Sequence, residues 1–365
     1  MSHLKEPETL VKFPGDGRFN LNLIFYIFVI AASLYVLSVG KSLLIPLFLA
    51  VFIWYLINVL TEVYEKIPLW RRKRLPHAVA FLSSLLTIAA VLTLVINLVY
   101  NNILDVVSMA PTYQRNLEQV IGKIFSFLQL DEPLTVRQLI RDVNFAAMAT
   151  PMARGVTGFI SRGGIVIIYL LFLFLEQRSF TPKFLALIKN PKRQKEVSRL
   201  IARIDADIRM YLGIKTLTSL TTSLLSYVIF IIVGLDFASF WAFTIFLLNF
   251  IPTIGSIIAT IFPSILALLQ FEDFRPFLIV IIGVTTIQQL MGSFLEPRFM
   301  GDRLNLSPLV ILLSLALWGR LWGVSGMLFS VPITSIIMIV LSHFPQSRAV
   351  AVALSRNGNI REEDE

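Results

Sequence analysis

Long apolar runs alternate with short polar interruptions along almost the whole chain. Residues 21–39, 42–60, 78–100, 155–175, 211–234 and 277–295 form six such runs. Each is close to the roughly 20 apolar residues a helix needs to cross hydrocarbon. They predict six full transmembrane helices, the first two joined as a tight hairpin around Lys41. Two further stretches, 237–270 and 307–343, are too long for one straight span and short for two. The first is interrupted at Pro252, Gly255 and Pro263, the second at Gly319, Arg320, Gly323, Gly326 and Pro332. Broken backbone at membrane depth survives only where protein or a water-filled cavity surrounds it. The expected architecture is therefore an all-α polytopic membrane protein. It has about six full transmembrane helices plus two broken or re-entrant helix hairpins, roughly eight membrane segments in all.

Between the runs, polar stretches keep helical periodicity. Tyr113, Leu117, Val120, Ile121, Ile124 and Leu128 recur on one helix face, and Thr135-x-x-Gln138 has the form of a capping box. Asn190-Pro191 is an N-cap followed by a first-turn proline. An apolar stripe from Val197 to Tyr211 then leads straight into the fifth run. The expected organisation is a polar tail over 1–20, three transmembrane helices over 21–100 and an extracytoplasmic helical insertion over 101–154. A fourth transmembrane helix follows over 155–175, a basic amphipathic cytoplasmic helix over 176–210, a core with both broken hairpins over 211–343, and a tail over 344–365.

Composition agrees with lipid as the solvent. Of 365 residues, 56% are hydrophobic and 15% charged, and the mean hydropathy is +0.76. Soluble domains carry about a quarter charged residues. No cysteine is present and only His3, His77 and His343 supply imidazole, so neither a thiolate nor a histidine-built metal site is expected, and no cofactor. The first run is long enough to span and is expected to stay as a helix rather than be cleaved as a signal peptide.

The net charge of +9 reads as topology. Arg71, Arg72, Lys73 and Arg74 form one cluster, and ten lysines and arginines lie between Arg178 and Lys215. Basic loops stay cytoplasmic. Two spans separate these loops, which puts them on one side, with both termini cytoplasmic. No separate basic domain argues for nucleic acid as a partner.

The interruptions are where chemistry is expected. Paired Gly/Pro-broken segments mark a transporter's binding region. Asn249, Thr253, Ser256, Gln288, Gln289 and Ser325 are candidate hydrogen-bonding groups for a small polar solute. Gly255, Gly323 and Gly326 permit close backbone approach, and Pro252, Pro263 and Pro332 fix the breaks. Arg162, Asp236, Glu296, Asp302 and Arg320 are ionisable groups at or near membrane depth, where such groups default to function. Glu296 is the coupling candidate for a proton or cation; its alternative is a structural lock with Arg298, Asp302 and Arg303.

Two motifs, LNFIPTIGSIIATIFP and FLEPRFMGDRLNLSPLVILLSLALWGRLWGVSGMLFSVP, give the chain a resemblance to the autoinducer-2 exporter family of permeases. The resemblance covers most of the chain and leaves the terminal tails unmatched. It implies an exporter of the bacterial cytoplasmic (inner) membrane, a homo-oligomer and specifically a pentamer, with re-entrant hairpins in an elevator-like moving part. Family members are associated with export of autoinducer-2, others with sodium/proton exchange. Many relatives carry Asn or an acidic residue before the Leu-Glu-Pro turn, where this chain has Met291, Gly292 and Ser293.

The expected function is secondary active export of a small polar organic solute, autoinducer-2 by resemblance, driven by a proton or sodium gradient. A passive oligomeric channel is the first alternative, since an oligomer would form rings of Glu296 or Arg320. An intramembrane hydrolase using Ser325 is the second. Its weakness is the missing base, because His343 would lie roughly 27 Å away along one helix. No phosphate-binding loop suggests nucleotide as an energy source.

Overall fold

The computed structural model describes residues 17–68, 75–127, 129, 145–271, 273–300 and 305–358. The expected capping box at Thr135, the cluster at Arg71–Arg74, and Asp302 and Arg303 lie outside these residues. The chain divides into two units, Met1–Leu44 and Ile45–Glu365. In the first, helix α1 (Gly17–Val39) ends where Gly40 donates to the Val36 carbonyl at 2.8 Å.

The second unit is built from α2 (Lys41–Glu65, entered at Ile45), α3 (His77–Phe127), α4 (Phe145–Ala186) and α5 (Pro191–Val233). The first broken stretch follows as α6 (Ala238–Leu248) and α7 (Ile254–Phe271). Next come α8 (Phe274–Gln289), a π-helical turn (Leu290–Leu295) and the short α9 (Glu296–Met300). The second broken stretch is α10 (Pro308–Trp322) and α11 (Val324–His343), and α12 (Arg348–Leu354) closes the described chain. Among the described residues there are no strands beyond one isolated bridge, and seven helices are long and apolar enough to cross a membrane. Their outward faces are apolar: Ile232 is 78% exposed and Leu175 69%. In water such a surface would aggregate; lipid is its solvent.

Three helices run further than their apolar spans. The sequence suggests an insertion with its own helix after residue 100, yet α3 continues unbroken to Phe127. Asn102 stays in register by donating to the Leu98 carbonyl at 2.6 Å. Likewise α4 extends past both ends of 155–175, and α5 joins the basic amphipathic stretch to the fifth span. Polar residues change the solvent a helix meets without ending it, and α3 runs on even through Pro111 in its interior. Asn190 caps α5 as expected, accepting from Lys192 N–H at 2.9 Å.

Both broken stretches fold as hairpins by one device. In the first, a Cβ on Gly255 would sit 1.8 Å from the Leu248 carbonyl oxygen. In the second, a Cβ on Gly326 would sit 1.8 Å from the Trp318 carbonyl oxygen. Only glycine lets the returning helix start this close to the end of the leading one. At roughly 1.5 Å per residue, α6 extends only about 16 Å, half of a hydrocarbon core of about 30 Å.

The base of the first hairpin is pinned. Gln270 donates to the Gly234 carbonyl at 2.8 Å and accepts from Asp236 N–H at 2.7 Å. Tyr113 of α3 donates to Asp236 at 2.9 Å and Asn116 to the Leu269 carbonyl at 2.7 Å. Asp236 thus serves a turn, following Gly234 in the left-handed conformation at φ 76°. Beneath it, Phe230, Ile245, Ala267, Val280 and Val284 are fully buried in one core.

Candidate functional site

Three stretches of chain, within 215–222, 249–256 and 288–296, converge on a polar cavity of about 190 Å³ in the apolar second unit. Helix α5 contributes Lys215, Thr218 and Thr222, spaced at three and seven residues and so on one face. The break between α6 and α7 contributes Asn249, Ile251, Pro252 and Thr253, and the first turn of α7 adds Ser256. Gln288 comes from α8, Met291 and Gly292 from the π-helical turn, and Glu296 from the start of α9.

Each piece has a local cause. Pro252 lacks an N–H, and Thr253 turns the chain with φ 61°, a left-handed value that a β-branched residue adopts only under constraint. The π-helical turn is closed by Glu296 N–H donating to the Met291 carbonyl, five residues back. Such wide turns recur at functional sites. Here the extra residue per turn keeps Glu296 on the face that carries Gln288, eight positions earlier. Gly292 has nothing within 4 Å of the place a Cβ would occupy, so that wall of the cavity is open.

The charged lining consists of one pair. Lys215 Nζ donates to Glu296 Oε1 at 2.7 Å and to Oε2 at 2.8 Å. The two side chains are only 11% and 20% exposed. Tyr211, one turn earlier on α5, is buried beside the pair's helix. In the same lining, Gln288 Nε2 is buried with no hydrogen-bond partner among the described residues.

Six residues singled out in the sequence meet here: Asn249, Pro252, Thr253, Ser256, Gln288 and Glu296. Others do not line the cavity. Gly255 shapes the hairpin tip behind it, and Pro263 is buried inside α7. Gln289 points away and accepts from Ser293 at 2.8 Å. Gly323 (φ 63°), Ser325 and Gly326 form the tip of the second hairpin, and Pro332 lies inside α11. Arg320 is exposed on α10.

Glu296 makes an ion pair that the sequence did not point to, while Asp302 and Arg303 of the expected lock lie outside the described residues. Its partner is Lys215, 81 positions away, whereas Arg298 makes no ion pair with it among the described residues. Residues two apart on a helix do not face each other, which removes Arg298. Lys215 counts among the loop charges in the sequence, although it already lies inside the 211–234 run. Its place there, with Thr218 and Thr222 on the same face, was the available signal.

A multi-pass bundle enclosing a polar, charge-paired cavity fits a membrane transport protein. The model of the AI-2E family transporter matches residues 23–346, and the chain belongs to that family. Three relatives accord with this. The AI-2 transport protein TqsA of Escherichia coli is 33% identical over 87% of this chain and 90% of its own. Two proteins named "Putative transport protein" are also similar. That of Haemophilus influenzae is 30% identical over 92% of this chain and 97% of its own, and that of Borreliella burgdorferi 35% over 67% of each.

Proposed function

We propose that this protein is a secondary active exporter of a small polar organic solute, which it binds in the cavity between α5, the α6–α7 tip and the α8–α9 segment. The observation that carries this reading is the Lys215–Glu296 pair on the wall of a polar cavity inside an apolar bundle. A volume of about 190 Å³ suits a solute smaller than a drug-sized ligand. Autoinducer-2 is the first solute to test, from the name of the similar TqsA.

The α6–α7 hairpin, turned at Pro252 and Thr253, is the element that moves with its solute in an elevator-like, alternating-access cycle. The pair is the coupling element. A proton or sodium ion reaching Glu296 weakens its hold on Lys215 and resets the cavity. The second hairpin, with Gly323, Ser325, Gly326 and Pro332, packs as the counterpart of the first. The protein works as a homo-oligomer in the bacterial cytoplasmic membrane, with both termini in the cytoplasm.

Inverted vesicles holding the protein test this directly. Uptake of labelled solute should saturate, respond to an imposed proton or sodium gradient, and be abolished in Glu296→Gln. Ohmic currents without saturation would establish a channel instead.

A further inference from the structure

Glu296 is already occupied. Both of its oxygens accept from Lys215 Nζ, at 2.7 and 2.8 Å, so any cation that reaches it competes with the ammonium. An ammonium carries three donors and no acceptor. On Lys215 they are directed at one carboxylate, and Nζ has no other partner among the described residues. Gln288 also lines the cavity, and its buried Nε2 is a second donor without a partner among those residues. Buried donors are nearly always satisfied, and those that are not call for a reason. Two from the lining of one cavity share one: a guest that brings the acceptor.

We propose that Lys215 and Gln288 together form the solute-reading pair, donating to an acceptor oxygen on a solute of zero net charge, with Glu296 acting as the positioning residue that holds the ammonium in place. This rests on the cavity being the solute site and names what that site reads. Charge balance sets the class. Among the described residues, Lys215 and Glu296 are the only charged ones in the lining, and they cancel. A solute with net charge would leave one charge unmatched in a largely buried site, a heavy penalty. A simple amine would find no uncommitted carboxylate. The acceptor oxygen can be the hydroxyl or carbonyl of an uncharged polyol, or the carboxylate of a zwitterion that exchanges its ammonium for Lys215 on Glu296. Thr218, Thr222 and Asn249 offer further hydrogen bonds to either.

Isothermal titration of the purified full-length protein with four probes separates these sources: D-ribose (uncharged), L-serine (zwitterion), L-lactate (anion) and ethanolamine (cation). Ribose or serine should bind saturably, with lactate and ethanolamine at least tenfold weaker. Gln288→Leu, which keeps the side chain's bulk, should weaken the better probe at least tenfold. The double variant Lys215→Met, Glu296→Gln leaves no unpaired charge behind and should fold, yet lose binding. Thr221→Ala, on another face of α5, should bind as the parent does.

A purely structural pair makes the opposite forecast, that the folded double variant binds normally; that result overturns the proposal. Preference for lactate or ethanolamine, or no saturable binding by any probe, overturns it as well. Ser256→Phe, which fills the cavity, separates the two levels. If it alone abolishes binding, the cavity is the site and the donor pair is wrong. If binding survives both Ser256→Phe and the double variant, the cavity is not the site.

Discussion

Lys215 and Glu296 stand 81 positions apart in the chain, yet the lysine ammonium reaches both carboxylate oxygens, at 2.7 and 2.8 Å. Neither residue's own helix offers the other a neighbour. The contact exists because the π-helical turn brings the start of α9 against the face of α5 that bears Thr218 and Thr222. The pair therefore reports the packing of α5 on the segment after α8, and it is sensitive to anything that separates them.

Breaking the pair from one side should be costly. Lys215→Met or Glu296→Gln alone leaves a partner charge largely buried, and such losses run to about 3–5 kcal/mol. With the carboxylate 20% exposed, the lower end of that range is expected. The double variant should recover most of it. Thermal melts of the three variants in one detergent give the comparison; equal destabilisation in single and double variants would argue against an energetic pairing.

Glycine at the two hairpin tips is required by space. Alanine at 255 or 326 places a methyl 1.8 Å from a backbone carbonyl oxygen, so a helix must shift. Overpacking of this kind costs about 1–3 kcal/mol or more. Gly255→Ala and Gly326→Ala should both lower the melting temperature. Gly292→Ala should not, because its Cβ meets nothing within 4 Å; its methyl enters the cavity and should lower solute affinity instead.

Thr253 holds a left-handed turn at φ 61°. Relief of that conformation is worth about 1–2 kcal/mol for a residue with a Cβ. The added freedom of glycine in the unfolded chain offsets about 0.4–1 kcal/mol of it. Thr253→Gly should thus melt slightly higher while binding solute less tightly, for want of the hydroxyl. Lower stability would show that the hydroxyl contributes more to the fold than the strain costs.

Tyr113 links α3 to the hairpin base through Asp236 at 2.9 Å. Burial pushes its phenol pKa up, and the hydrogen bond and charge of Asp236 add to that. The folded pKa is raised, so this contribution is fully present below the ordinary value of 10.0 and is lost as pH rises through the higher folded value. Tyr113→Phe should cost about 0.5–1.5 kcal/mol at neutral pH. Ultraviolet titration should count one late-ionising phenol fewer in this variant than in the parent.

The sequence by itself determined the solvent and the elements. Apolar runs of spanning length cannot be hidden in water, and Gly255, Pro252, Gly323 and Gly326 mark breaks because they suit turns and close backbone approaches that other residues resist. It also contained six of the cavity's residues, since polar groups beside a break inside lipid have few other uses. What it did not determine was who faces whom. Helix ends at α3 and α4 followed neither polarity nor the local breakers, since α3 runs on through Pro111 and α4 through Gly163 and Gly164. The partner of Glu296 was decided by tertiary structure alone, because an ion pair between distant helices follows from their packing and the register of a π-helical turn, and local periodicity carries no record of either.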